Sequence, residues 1–324
     1  MDGVENLVEA KRNENQGMVR LVFALVIISL MVSTIAIILS ATSLSKEGTT
    51  INVGDAAGST GGSSAGKLAD DVWTFAIGHD GSNVEYLDRT SGTLRGFHVD
   101  IVNAVCAQAN KNCRLVWDVY GNCWNSRAGE QARGGPGLMG GWYDACTGWF
   151  NTYERAITFK FTNPLRKKIN GQFVVKQGNP NNFDPTSIGS TQKLGFGDGW
   201  STDEHCLARN SDTLSGVPLD PSQVVHYSTR EQLIAAILND EVVAGFSNAH
   251  TLLDSGLQQI EPTITNCQRA GGSIMTRMQS TLPDWWNPAF DALKANGAYK
   301  DICAKIDNEH GSQRGFAGDV VCLD

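Results

Sequence analysis

The segment from Gly140 to Pro164, GGWYDACTGWFNTYERAITFKFTNP, contains one arginine, Arg155, shortly after an apolar stretch typical of a strand. A guanidinium offers two parallel charge-assisted hydrogen bonds to a carboxylate, so an arginine that faces a cleft can hold an organic acid. Thr147 and Gly148 are small, which would let a ligand approach the backbone. The alternative is an ordinary arginine on the surface at a helix start, because most arginines are solvated.

Acid–base catalysis would need a titratable side chain in the same cleft, and three residues are candidates: Glu85, Asp198 and His205. Their positions in the sequence match no known catalytic motif. The histidines show no metal-ligand spacing, and the cysteines form no C-x-x-C pair. A G-x-S-x-G match at 62–66 lies in a Gly/Ser-rich stretch without the strand and helix of a nucleophile elbow. We therefore expect no metal, no cofactor and no enzyme activity.

Charge and cysteine content restrict the class of protein further. The net charge of −8 and the absence of a basic run argue against a nucleic-acid partner. All eight cysteines follow residue 100, as expected for a region in an oxidising compartment. Eight cysteines allow 105 pairings. We favour the sequential pairing that closes short loops: Cys106–Cys113, Cys123–Cys146, Cys206–Cys267 and Cys303–Cys322.

The N-terminal region contains an uncharged apolar run from Leu21 to Ser45. As a helix it would be roughly 38 Å long, enough to cross a bilayer core of about 30 Å. Basic residues are concentrated before it, at Lys11, Arg12 and Arg20, which places the N-terminus inside. We predict a cytoplasmic tail over 1–18, a transmembrane signal anchor over 19–42 and an extracellular or periplasmic remainder. Cleavage of the anchor stays open.

Residues 43–70 are rich in Gly, Ser and Thr and predict a flexible tether. Beyond them, strand-like and helix-like patterns alternate, which indicates parallel α/β layering. A capping box at Ser228 and Glu231 predicts a helix start. The segments 171–176 and 271–278 are predicted to be two hinge strands that carry the chain between lobes. Lobe 1 is predicted over 71–172 and 275–324, and lobe 2 over 173–274.

Four stretches resemble the family-3 extracellular solute-binding proteins, the periplasmic amino-acid-binding type, across residues 71 to about 308. They are GTLRGFHVDIVNAV, WYDACTGWFNTYERAITFKFTNP, EQLIAAILNDEVVAGFSN and FDALKANGAYKDICAKI. The resemblance implies the two-lobe, type 2 periplasmic-binding α/β fold. It also implies that Arg155 binds the ligand's carboxylate, helped by the turn that contains Thr147 and Gly148. The Cys106–Cys113 spacing is similar to a disulfide of some members.

Further candidates for the ligand site come from the resemblance and from a glycine turn. Trp124 follows the second strand, where the family places an aromatic wall, although a core tryptophan is an equal alternative. Trp200, Ser201 and Thr202 follow a glycine turn at a position where helix N-terminal amides bind anions; a structural turn is the alternative.

Two positions depart from the family pattern. Phe150 stands where members commonly have Ser or Thr, and Asn248 stands where they commonly have an aspartate that pairs with the ligand's ammonium. A buried ammonium opposite a neutral amide lacks the charge that would offset its desolvation. A carboxylate ligand without a free α-ammonium, or a larger aromatic acid, is therefore as consistent with the sequence as an ordinary α-amino acid.

These observations predict a membrane-tethered binding protein that captures a small carboxylate-bearing ligand by lobe closure, for transport or sensing. A transporter permease or a signalling protein would be its partner. Two alternatives stay open: an enzyme similar to cyclohexadienyl dehydratases, which resemble this family, and an ectodomain that binds no ligand and acts as a scaffold.

Overall fold

The computed structural model describes residues 72–78, 83–127, 132–199, 203–248, 251–252, 254–311 and 321–323. The predicted tail, anchor and tether (1–70) lie outside these residues, as do Trp200, Ser201 and Thr202. Within the described ranges, no helix is both long enough and apolar enough to cross a membrane.

The strands are β1 (Trp73–Ile77), β2 (Tyr86–Asp88), β3 (Thr93–Arg95), β4 (Cys113–Trp117), β5 (Trp124–Asn125), β6 (Arg133–Gly134), β7 (Ala145–Asn151), β8 (Phe159–Phe161), β9 (Gly171–Lys176), β10 (Leu194–Gly197), β11 (Val224–Tyr227), β12 (Ala244–Asn248), β13 (Leu257–Ile264) and β14 (Ala270–Arg277). The α-helices are α1 (Phe97–Gln108), α2 (Tyr120–Cys123), α3 (Pro136–Gly140), α4 (Tyr153–Thr158), α5 (Glu204–Ala208), α6 (Arg230–Leu238), α7 (Leu282–Ala295) and α8 (Ala298–Glu309).

Lobe 1 is built on a five-stranded sheet of order β4-β1-β7-β14-β8. β4, β1 and β7 are parallel, while β14 runs antiparallel to β7 and β8. The core lies between this sheet and helices α1, α7 and α8, where Phe75, Trp286 and Phe290 are fully buried. The rings of Phe75 and Trp286 are 5.5 Å apart. Alternation of strand and helix thus produces parallel layering, as the sequence predicts.

Lobe 2 repeats the arrangement in a sheet of order β11-β10-β12-β9-β13. β11, β10 and β12 are parallel, and β9 runs antiparallel to β12 and β13. Phe173, Phe196 and Phe246 are fully buried in its core. Ligands in open α/β sheets bind beyond the carboxyl ends of parallel strands, so these ends are the relevant edge of each lobe.

The prediction of hinge strands is only partly correct. The segments 171–176 and 271–278 are extended, but β9 pairs within the second sheet and β14 within the first. The chain crosses instead through 162–170 and 265–269, which contain no strand. A segment between two sheets has no ladder partner for its backbone groups, so it does not form a strand. The second sheet starts at Gly171 and β14 at Ala270, a few residues from the predicted lobe boundaries.

The capping box of α6 is displaced by one residue from its predicted position. The Thr229 hydroxyl accepts a hydrogen bond from the Gln232 amide at 3.2 Å, and the Gln232 side chain accepts one from the Thr229 amide. The motif S-T-R-E-Q offers both registers, because Ser228 and Thr229 are each followed three residues later by a suitable partner.

Four disulfides join Cys106 to Cys113, Cys123 to Cys146, Cys206 to Cys267, and Cys303 to Cys322. This is the pairing predicted from the sequence. Three of the bonds lie within lobe 1, and Cys206–Cys267 joins α5 of lobe 2 to the crossing segment 265–269, so none of the four links one sheet to the other. Cys123–Cys146 attaches the end of α2 to β7 and therefore fixes the two elements that surround Arg155.

Candidate functional site

Arg155 lies in the first turn of α4, directly after the carboxyl end of β7, and only 4% of its surface is exposed. Thr152 begins this helix, and its hydroxyl accepts a hydrogen bond from the Arg155 amide at 3.3 Å. An N-cap of this kind fixes the start of a short helix and with it the direction of its first side chains. The guanidinium is consequently directed away from bulk water.

The guanidinium of Arg155 contacts only neutral groups in the described part of the chain. Nη1 donates to the Phe150 carbonyl at 3.1 Å, and Nη2 donates to the Tyr120 hydroxyl at 2.8 Å and to the Gly199 carbonyl at 2.6 Å. It lies 4.7 Å from the ring centre of Trp149 and 5.7 Å from that of Trp124. Dipoles and aromatic faces hold this cation, and a carboxylate would form stronger, charge-assisted bonds with the same donors.

The sequence did not single out Tyr120, yet it is central to this site. It is the first residue of α2, at the carboxyl end of β4, and its hydroxyl donates to the Gly199 carbonyl of lobe 2. Burial raises the pKa of the Tyr120 hydroxyl, and the neighbouring Arg155 only partly opposes this, so the hydroxyl stays a donor. The signal that could have indicated Tyr120 is its place after a parallel strand.

Gly148 has a different role from the one predicted. Its φ of +72° favours glycine, and a Cβ there would collide with the His98 ring and lie 3.0 Å from Glu85 Oε1. The space above its α-carbon is therefore filled by His98 rather than kept for a ligand. Thr147 is also engaged inside the protein: its hydroxyl donates to Glu85 Oε1 at 2.8 Å and lies 3.1 Å from the Ala76 carbonyl.

Glu85 and His98 form a buried pair in lobe 1 that packs against the end of β7. His98 Nδ1 and Glu85 Oε1 are hydrogen-bonded at 2.6 Å, and both side chains are at most 2% exposed. The amide of Gly78 donates to the second carboxylate oxygen of Glu85 at 2.8 Å. A buried carboxylate needs such donors because an isolated one would be too costly to desolvate.

Phe150 contributes its backbone and its ring to different arginines. Its carbonyl accepts from Arg155, whereas its ring lies 4.3 Å from the guanidinium carbon of Arg166. Arg166 belongs to the crossing segment 162–170, is 4% exposed and donates to the Gly148 carbonyl at 3.0 Å. The prediction of a turn at Thr147 and Gly148 is wrong, because these residues lie within β7, and the stretch from Thr147 to Phe150 is bordered by two guanidinium groups.

Trp124 is buried and forms part of the Arg155 environment, as well as an edge-on contact with Phe159 at 6.2 Å. Trp124 is therefore a core residue that also lies beside Arg155, and its role as a wall of a ligand site stays a prediction. Asn248 ends β12 in lobe 2 and is half-buried, and its carbonyl accepts from the Thr251 amide at 3.0 Å. Gly199 immediately precedes the undescribed Trp200–Thr202 segment.

The three residues considered for acid–base chemistry lie in separate surroundings. Asp198 accepts a hydrogen bond from Ser228 at 3.1 Å, Glu85 is paired with His98, and the side chain of His205 is 60% exposed. Carboxylates and histidines also approach within metal-binding distance at two places among the described residues, Glu154–Asp203–His205 and Asp100–Glu309–His310. Glu154 of the first group is hydrogen-bonded to Arg209, and His310 of the second group is hydrogen-bonded to Asp100.

Two α/β lobes, each with parallel strands whose carboxyl ends meet the other lobe, define the class: a two-lobe binding protein of the type 2 periplasmic-binding fold. Residues 74–306 match the family described as bacterial extracellular solute-binding proteins, family 3. The chain belongs to this family, which confirms the resemblance seen in the sequence.

Among curated proteins, the chain is 31% identical over 231 residues to the L-arginine-binding protein of Pseudomonas aeruginosa, covering 67% of this chain and 80% of that protein. Among solved structures, it is similar to an arginine transport system periplasmic binding protein from Legionella pneumophila, with a TM-score of 0.51, 17% identity and coverage of 72% and 98%. A histidine kinase sensor domain has a TM-score of 0.52 at 13% identity, covering 73% of this chain and 96% of that chain. At these identities the solved structures establish the fold alone.

Proposed function

We propose that the protein is an extracellular or periplasmic receptor for an amino acid or a related organic acid, and that Arg155 binds the ligand's carboxylate when the lobes close. The observation that carries this proposal is the buried guanidinium at the junction of the lobes, which contacts only neutral groups of the described chain. A ligand carboxylate can replace one of these acceptors and gain a charge-assisted bond. The curated relative named for L-arginine binding supports an amino acid as the ligand class.

The site would be assembled from both lobes. Arg155, Phe150 and Trp124 would form one wall, and Trp200, Ser201, Thr202 and Asn248 the other. Thr147 and Gly148 would support the first wall on its inner side, because the Thr147 hydroxyl bonds to Glu85 and the His98 ring fills the space beside Gly148. Since Asn248 is neutral, the ligand's amino end would be held by hydrogen bonds rather than by an ion pair.

Delivery to a transporter and sensing are both consistent with this function. A membrane anchor over residues 19–42, with the folded lobes outside, would suit either. The likeness to a histidine kinase sensor domain concerns the fold and leaves both roles open. The dehydratase-like alternative would need an acid–base pair, and the buried Glu85–His98 pair is the described arrangement that suits it best.

The test is a ligand panel on the full-length chain in mild detergent, measured by thermal shift and calorimetry. The panel contains L-arginine, other amino acids, their 2-oxo acid analogues, aromatic acids and the primary amide of each hit. A ligand at one hundred times its dissociation constant should stabilise the fold by about 2.7 kcal/mol. If Arg155 binds the carboxylate, replacing that carboxylate by an amide should weaken binding to the wild type.

The variant Arg155→Ala provides the decisive comparison. It should bind acid and amide with equal, low affinity, because the group that distinguishes them is gone. Arg114→Ala is the matched control, since Arg114 is exposed on β4 and its side chain bonds only the neighbouring Cys113 carbonyl in the described chain. Equal discrimination by wild type and Arg155→Ala would refute the carboxylate assignment. Turnover of a hit would favour the enzyme, and a panel without any hit would favour the scaffold.

A further inference from the structure

We propose that the two lobes carry an interlobe latch that holds them closed without a ligand. The interlobe latch consists of Tyr120, Glu154 and Arg155 of lobe 1 and of Gly199 and Arg209 of lobe 2. It goes beyond the proposed function, because it concerns the empty protein and does not depend on which ligand binds. Every contact that defines it lies between described residues.

The first half of the interlobe latch is an ion pair. Arg209, the residue that follows α5, donates from Nη1 to Glu154 Oε1 at 2.8 Å, and each side chain is 27% exposed. The guanidinium carbon of Arg209 also lies 4.4 Å from the centre of the Tyr153 ring. An exposed ion pair contributes little, but a half-buried pair that also stacks on an aromatic ring is better fixed in place.

Electrostatics at Glu154 agree with this pairing. Burial alone would raise the pKa of the Glu154 carboxyl, yet hydrogen bonds from its own amide and from Arg209 outweigh burial and lower it. His205 and Asp203 of lobe 2 are the other titratable neighbours, with His205 Nδ1 3.9 Å from Glu154 Oε1. The Glu154 amide and Arg209 thus favour the ionised carboxylate, while the negative charge of Asp203 opposes it.

The second half of the interlobe latch is the carbonyl of Gly199. It accepts hydrogen bonds from the Tyr120 hydroxyl and from Arg155 Nη2, so two donors of lobe 1 converge on one acceptor of lobe 2. The approach is close enough that a Cβ on Gly199 would collide with the Ser126 hydroxyl and lie 2.8 Å from the Tyr120 hydroxyl. Only glycine permits this contact, and its φ of +68° also favours glycine.

The two halves reinforce each other because they connect the same short segments. Glu154 and Arg155 are adjacent on α4. Gly199 and Arg209 are ten positions apart in lobe 2, before and after α5. Closing one contact brings the other into range, so the second forms at little further entropic cost. A ligand can shift the equilibrium between open and closed lobes only by its differential affinity for them. The Glu154–Arg209 pair favours closure without using the donors that a ligand carboxylate would take, so this pair reduces the shift that the ligand must supply.

The test measures lobe separation in the empty full-length chain by single-molecule fluorescence transfer. Dyes are placed on exposed residues through unnatural amino acids, one at Lys300 in lobe 1 and one at Glu231 in lobe 2, which leaves the disulfides intact. The wild type without ligand should give mainly the high-transfer, closed population. Glu154→Gln and Tyr120→Phe should each shift molecules to a lower-transfer, open population, and together they should shift more.

Controls separate the interlobe latch from general effects of charge removal. Asp240→Asn removes an ion pair of similar length, Lys176–Asp240 at 2.9 Å, that lies within lobe 2. It should leave the distribution unchanged. The charge exchange Glu154→Arg with Arg209→Glu should restore closure that Glu154→Arg alone abolishes. An empty wild type that is mainly open, or an equal shift for Asp240→Asn, would overturn the proposal whatever the ligand panel shows.

Discussion

The Arg155 guanidinium and the Gly199 carbonyl are hydrogen-bonded at 2.6 Å although they belong to different lobes. One cation therefore contacts both walls of the candidate site. A ligand carboxylate that reaches Arg155 must share or replace this bond, so ligand binding and lobe closure depend on the same donors.

Arg155→Lys should abolish most ligand binding while the protein still folds. Lysine retains the positive charge but lacks the planar fork, and it cannot reach the Phe150 and Gly199 carbonyls together. We expect an affinity loss equivalent to about 2–5 kcal/mol, the cost typical of breaking a buried charge pair. Calorimetry with the ligand from the panel, beginning with L-arginine, measures it. Affinity close to wild type would show that the planar guanidinium is not required. Arg114→Lys is the control, because it makes the same replacement at an exposed position.

Tyr120→Phe should lower the free energy of unfolding by about 1 kcal/mol, because the Gly199 carbonyl loses one buried donor. The ring itself can keep its packing on Trp149, 4.5 Å away. Urea denaturation measures the effect. Tyr153→Phe is the control, since Tyr153 is 41% exposed and its ring still stacks on Arg209 after the change. Equal losses in both variants would assign the effect to hydroxyl removal in general.

Gly148→Ala should destabilise more than Gly178→Ala. Both glycines have positive φ, +72° and +80°, so both variants carry the same kind of backbone strain. Only the Cβ at Gly148 meets other atoms, the His98 ring and Glu85 Oε1, whereas nothing lies within 4 Å of a Cβ at Gly178. The difference between the variants in denaturant unfolding should be about 1–3 kcal/mol, the usual cost of overpacking. No difference would mean that the His98–Glu85 pair moves aside freely.

Removing the Cys123–Cys146 bond should impair ligand binding, and removing Cys303–Cys322 should not. The two bonds span similar distances in sequence, 23 and 19 residues, so alanine replacement of either pair should cost about 3 kcal/mol of stability. Only the first attaches α2, which contains Tyr120, to β7. Affinity measured well below the unfolding transition separates the two effects. Equal affinities in the two double variants would contradict a positioning role for Cys123–Cys146.

His226 should stabilise the fold at mildly acidic pH and lose this effect as the pH rises. Its hydrogen bond to Glu204 raises the pKa of His226 above its ordinary value of 6.5, although burial opposes this. Burial would raise the pKa of Glu204, but the bonds to His226 and to its own amide lower it below 4.5. Both partners are therefore mostly charged between pH 4.5 and 6.5.

The measurement is the melting temperature of wild type and His226→Gln from pH 5 to pH 9. A raised folded-state pKa means that the wild type's advantage is complete below the unfolded pKa and disappears as pH passes through the folded one. Glu204→Gln should remove the same pH-dependent difference. An advantage that grows with pH would reverse the assigned sign.

Much of the fold could be predicted from local patterns. The apolar positions Ile101, Val102 and Val105 have the spacing of one helix face and are buried on α1, and Gly297 lies between α7 and α8. The hinge prediction was only partly correct because an extended segment such as 171–176 has the same sequence pattern whether it pairs in a sheet or crosses between sheets. Pairing depends on partners that are remote in sequence.

Within the site, the sequence indicated Arg155 and Trp124 but not Tyr120, Arg209 or the His98–Glu85 pair. Tyr120 gains its importance from Gly199, 79 residues further along the chain. The sequence predicted that a ligand could approach the backbone at Gly148, because glycine has no side chain. The sequence does not show which other residue fills the space beside it. His98, fifty positions earlier, fills it.

The amino-acid sequence by itself indicated the family, the succession of strands and helices, the disulfide pairing that we favoured and the arginine that we propose as the ligand's partner. These depend on short-range periodicity, on composition and on motifs that each lie within a few residues. Only the tertiary structure decided which groups of the two lobes touch Arg155, because hydrogen bonds and burial act between neighbours in space. Such neighbours can come from any part of a folded chain.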